Sequence, residues 1–153
     1  MIEDGLPAAP VHHEGGPHEM HRSGPPLSDH ALAALVDRVR ASVVKTTSAS
    51  LDALPDGIES ISLAAWAADF PTDIAVLRRS PWEARADSVM YRQVLDDLAR
   101  RRGWDVHLYD AKTVEAEAAR IVGTDALAAP RKSLGPPWTK DHRVALAATI
   151  VVG

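Results

Sequence analysis

Histidines and acids crowd the start of the chain: His12, His13, His18, His21 and His30, with Glu14 and Glu19 among them. Imidazoles and carboxylates at such spacing can bind zinc, nickel or copper loosely. A working metal site also needs preorganised ligands with supporting hydrogen bonds, so a polar tail is the plainer reading. A second group is basic. Arg78-Arg79 and Arg100-Arg101-Arg102 bracket a long helical pattern, and Arg131, Lys132, Lys140 and Arg143 lie near the end. Such clusters can contact phosphates, although cations at a helix C-terminus also complement its dipole without any ligand. The third group is Trp138-Thr139-Lys140-Asp141-His142-Arg143, the densest polar run next to an apolar segment. Here Asp141 is a candidate metal ligand, with Lys140 and Arg143 placed for phosphates. A carboxylate in the first turn of a helix is also what the dipole favours.

Other chemistry is poorly represented. Gly135-Pro136-Pro137 lacks the backbone N–H groups that a phosphate cradle needs, and no Gly-x-Ser-x-Gly elbow occurs. The tryptophans at 66, 82, 104 and 138 are spread over separate elements and read as core or rim anchors rather than stacking platforms. With no cysteine there is no disulfide framework, thiolate zinc site or cysteine nucleophile, which is compatible with a cytoplasmic setting. No run of eighteen apolar residues suggests a membrane span or a membrane partner, and the acidic start lacks the features of a secretory signal.

These groups must be positioned by a small scaffold. At 153 residues, 46% hydrophobic and 25% charged with a net charge of -4, the chain is long enough to bury a core. Residues 1–27 read as a disordered tail rich in His, Pro and Gly, and residues 28–153 as a single α/β domain. Ser28 or Asp29 is the expected N-cap of a helix over 29–54, whose apolar stripe includes Leu32, Leu35, Val39 and Val43. Alternation predicts strands over 58–66 and 104–109, and the short apolar run 74–77 is a candidate edge strand. Ser80 and Pro81 suggest the start of a helix over 81–102, stopped by Gly103. Further helices are predicted over 111–122, after an Asp110 cap, and over 139–151, with a loop over 124–137 between them. A strand, a long helix and another strand make a right-handed β-α-β crossover with parallel strands.

From about Ile58 onward this order resembles the second half of the ribonuclease-H-like fold, in particular bacterial Holliday-junction resolvases. The resemblance rests on Ala86-Asp87-Ser88, Val106-His107-Leu108-Tyr109, Lys112-Thr113-Val114, Ile121-Val122-Gly123, and Asp141 through Ala147. RADSVMYRQ and LGPPWTKDHR also look like uncharacterised proteins of high-GC bacteria. The resemblance implies a magnesium- or manganese-dependent nuclease in which carboxylates hold two ions. Asp141 matches the first acid of the last helix, Asp69 is the stand-in for the mid-chain acid, and Val144 occupies the place of a further acid. The first-strand aspartate and the opening hairpin have no counterpart here. The expected function is therefore a nucleic-acid-associated protein of degenerate resolvase-like architecture, binding DNA or RNA through Arg78, Arg79, Lys140 and Arg143. Two alternatives stand beside it. One is a non-enzymatic interaction or dimerisation module that covers its sheet edges with a partner or as a homodimer. The other is a small-molecule enzyme with a pocket at the strand C-terminal ends, near Tyr109, Asp110 and Lys112.

Overall fold

The computed structural model describes residues 5–16 and 24–152, and these form two compact units. One unit holds the chain up to Ile58 together with Trp66–Arg102, and the other holds Glu59–Ala65 together with Gly103 onward.

The first unit is helical. Helix α1, Asp29–Asp52, begins at Ser28, whose hydroxyl accepts a hydrogen bond from the Ala31 N–H at 3.3 Å. Helix α3, Glu83–Arg101, packs against α1. Leu35, Val39 and Val43 of α1 meet Met90, Val94 and Leu98 of α3, the stripes predicted from three- and four-residue spacing. Each side chain buried this fully contributes about 1.5–3 kcal/mol. Arg102 fastens the far ends of the helix pair, donating to the Ser48 carbonyl at 3.2 Å, to the Ser48 hydroxyl at 2.8 Å and to Asp52. Gly103 then takes a positive φ of 76°, which a side chain would resist, and the helix stops.

Two local expectations for this unit are corrected. Residues Ile74–Leu77 form a single helical turn, α2, not an edge strand. An apolar run of four has no readable period, and the Asp73 carboxylate decides the matter by accepting from the Ala75 N–H at 2.8 Å. Helix α3 starts at Glu83 with Trp82 in the cap position and no side-chain cap bond, so Ser80 and Pro81 lie before it.

Part of the predicted tail lies among the described residues. Residues Val11–Gly15 form a π-helical turn packed on α1 and α3, with Pro10 and Val11 buried. Its first two backbone N–H groups, of Val11 and His12, donate to Asp87, 76 positions away from Val11, a partner that local composition does not reveal. His18, His21 and Glu19 lie outside the described residues.

The second unit is a small α/β layer. Strands β1, Ser60–Ala64, and β2, Asp105–Tyr109, pair in parallel, with Ser60 opposite Asp105, Ser62 opposite His107 and Ala64 opposite Tyr109. Helices α4, Val114–Val122, and α6, Lys140–Val152, pack closely on each other. Between them, Thr124–Leu134 is helix α5 rather than the expected loop. Pro130 removes one backbone donor from it. Leu127, buried among Val114, Ala118, Ala147 and Ala148, offsets that loss through packing that a local reading cannot see. The fold is therefore α/β with a two-stranded parallel sheet, as expected, and the chain between the strands carries α2 and α3. Among the described residues no helix is long and apolar enough to cross a membrane.

Candidate functional site

In the second unit, α6 runs antiparallel to both strands. Its first turn is held to the first turn of α4, just beyond the end of β2, by Arg143 donating from Nε to Glu115 at 3.3 Å. Its last turns, at Thr149 and Val152, line a cavity with Ser60 and Asp105, the first residues of the strands. The start of α6 thus lies at the C-terminal rim of the sheet, the end at which open α/β sheets bind ligands.

That rim carries part of the predicted set. Lys140 and Asp141 are exposed in the first turn of α6. Trp138 stacks on His142 with ring centroids 5.6 Å apart and planes inclined by 28°. The His142 Nδ1 accepts from the Thr139 N–H at 3.2 Å and lies 2.8 Å from the Thr139 hydroxyl, which caps the helix and fixes the ring. Because Nδ1 accepts the backbone bond, the neutral ring carries its proton on Nε2, the outer nitrogen. Arg143 is half-buried in its pair with Glu115, so its charge is already matched. Asp110 is a cap: its carboxylate accepts from the Lys112 N–H at 2.8 Å, and its carbonyl accepts from Thr113 and Val114. Lys112 itself is exposed.

The remaining predicted residues lie in the first unit. Arg78 is enclosed by partners, donating from Nε to the Gly15 carbonyl at 3.1 Å, from a terminal nitrogen to the Leu27 carbonyl at 2.7 Å, and to the Asp29 carboxylate. Its guanidinium thus ties the N-terminal segment to α2. Arg79 and Asp69 are exposed. The aspartates expected as a metal pair, Asp69 and Asp141, belong to different units. Among the described residues no three His, Asp or Glu side chains gather as a metal-binding group. The two acids carried over, Asp69 and Asp141, are fewer than the carboxylates that the resemblance implies for a two-ion centre.

Sequence reasoning passed over Asp87 as a site residue. The residue is 7% exposed, and its carboxylate accepts from the N–H of Val11 at 3.1 Å and of His12 at 3.0 Å. Burial pushes the Asp87 carboxyl above its ordinary range, against the opposing pull of those two N–H groups and of the His12 and His13 charges. Burial, with a smaller contribution from the Asp87 charge, raises the Tyr91 hydroxyl likewise. One signal was available: Glu83 and Asp87 fall beside Ala86 and Met90 on the stripe that α3 buries, and both carboxylates are buried.

Fold and site together define a small α/β protein with a polar, aromatic-bearing rim at the strand ends. In comparison with known proteins, no family model, no curated protein and no solved structure matches the chain.

Proposed function

We propose that the protein associates with nucleic acid through the C-terminal rim of its sheet, as a resolvase-like relative without a complete nuclease centre. The observation that carries this reading is the antiparallel course of α6, which sets the Trp138–His142 ring stack beside Lys140 at that rim. An exposed ammonium suits a phosphate, and a ring stack suits a nucleobase face. Exposed Lys112 after β2, with Arg131 and Lys132 on α5, adds cations to the same unit. In this reading the Asp141 carboxylate would be a ligand for magnesium or manganese.

The test is binding and cleavage of a four-way DNA junction and of single-stranded DNA, across a salt series, with and without manganese. Binding that weakens steeply with salt, with a slope reduced by about one in Lys140→Ala, supports the reading. Absence of salt-sensitive binding overturns it. Cleavage lost in Asp141→Ala would replace it with an active metal nuclease.

A second reading, an interaction or dimerisation module, is favoured by the sheet itself. Among the described residues the sheet has two strands, each paired with no further strand, and Leu108 on β2 is 50% exposed. A two-stranded sheet is marginal alone, and open edges invite strand addition. A dimer by light scattering, without salt-dependent retention on DNA, would favour this reading over the first.

A further inference from the structure

Residues 5–16 occupy a groove floored by α1 and α3, and the groove contacts their main chain. The Asp87 carboxylate accepts from two successive backbone N–H groups, at Val11 and His12. The Tyr91 hydroxyl donates to the Ala8 carbonyl, and Arg78 donates to the Gly15 carbonyl at 3.1 Å. Only two side chains of the segment are deeply inserted: Pro10 is fully buried and Val11 is 2% exposed. Gly15 passes so close to α1 that a Cβ there would fall 2.1 Å from a Leu32 methyl group. Main-chain hydrogen bonds with pockets for a few side chains are the way peptide-docking sites recognise extended or turned segments.

Further features separate this groove from ordinary core. The resident does not fill it: beyond Val11 a cavity of about 170 Å³ continues past Phe70, Leu77, Arg40 and Gln93. Asp87 is also an odd choice for a core position, because an apolar side chain of similar size avoids the desolvation of a carboxylate. The carboxylate is compensated only while a segment offers its N–H groups. Pro7 and Pro10 restrict the free segment, so docking orders less chain.

We propose that this groove is a peptide-docking site, with residues 5–16 as its replaceable resident, and that it accepts the same segment from a second copy of the chain. The chemistry of the incoming peptide is that of the resident: proline-bearing, apolar at the position of Val11, and free to donate two successive N–H groups. The site lies in the first unit and is independent of the nucleic-acid reading.

The experiment uses full-length chains and a fluorescent peptide with the sequence of residues 5–16, followed by anisotropy. In the wild-type chain the linked resident competes at an effective concentration of about millimolar, so the labelled peptide binds weakly. Val11→Asp places a second carboxylate beside Asp87 and expels the resident. Val11→Ala only trims its packing and keeps the fold safe. Both chains are expected to bind the wild-type peptide at least about tenfold more tightly than the wild-type chain does. A peptide carrying Val11→Asp should not bind, and adding Asp87→Asn to the Val11→Ala chain should weaken uptake. If the folded Val11→Ala chain takes up no more peptide than wild type, the proposal fails. It fails also if the Val11→Asp peptide binds as well as the wild-type peptide.

Discussion

The Asp87 carboxylate accepts the backbone N–H of Val11 at 3.1 Å across 76 positions of sequence, joining the middle of the chain to a segment near its start. Together with the bond to His12 it makes one side chain the acceptor for two successive backbone donors. Removing it by Asp87→Ala leaves a buried N–H without an acceptor, for which the expected loss is about 1–3 kcal/mol. Urea denaturation of wild type and variant measures it.

Asp87 also sets a pH dependence. Its folded pKa is raised above the ordinary 3.8, chiefly by burial, so the neutral acid is favoured in the folded state. The corresponding stabilisation is fully present below the unfolded pKa and is lost as pH rises through the folded value. The wild-type chain should therefore lose stability relative to Asp87→Asn as pH climbs from below 3.8 toward neutrality. Paired denaturation curves along that pH series check the sign; a difference that runs the other way contradicts it.

Arg78 and Arg79 are neighbours with opposite surroundings. Arg78 is enclosed by Gly15, Leu27 and Asp29, whereas Arg79 is exposed. Charge-assisted hydrogen bonds of this kind make Arg78→Ala costly, by about 1.5–3 kcal/mol, while Arg79→Ala should stay within about 0.5 kcal/mol of wild type. Thermal melts of the two variants separate the roles. Equal melting temperatures would mean that the ties around Arg78 contribute little.

Leu32 is wholly buried on α1, beneath Gly15. Leu32→Ala should destabilise by about 2–5 kcal/mol through lost transfer energy and the cavity left behind. Because it underlies the N-terminal turn, hydrogen exchange at Val11 and His12 should quicken more than exchange at α4 or α6. Uniform acceleration across the chain would show that the turn has no stability of its own.

Gly16 closes the N-terminal turn, and a Cβ there would meet the His12 carbonyl oxygen at 2.8 Å. That neighbour is backbone and cannot swing aside as a side-chain end would. Gly16→Ala should loosen residues 5–16 while leaving the α1–α3 core intact. Limited proteolysis with unchanged helical circular dichroism is the expected outcome, and unaltered proteolysis would refute it.

What the sequence determined by itself is the set of elements governed by local periodicity and capping. Val39, Val94 and Leu98 could be assigned to buried stripes because residues three and four apart share a helix face whatever surrounds them. Parallel β1 and β2 followed from alternation, the intervening helix and the absence of any short hairpin between them. Tertiary structure decided the rest, since it depended on partners far away in sequence. Residues 124–134 became helix because Leu127 found a buried seat against α4 and α6, despite Pro130. Residues 11–15 gained a turn whose first N–H groups meet the Asp87 carboxylate, 76 positions away from Val11. The same distance problem governs the site. Lys140, Asp141 and Trp138 are adjacent in sequence and stay together on the rim, whereas Asp69 and Asp141 were paired only by analogy and belong to different units. Arg78 looked available for phosphate because its partners, Gly15, Leu27 and Asp29, are 49 or more positions away. Charge can be counted along a sequence, but whether a charge is already matched is settled only by what folds against it.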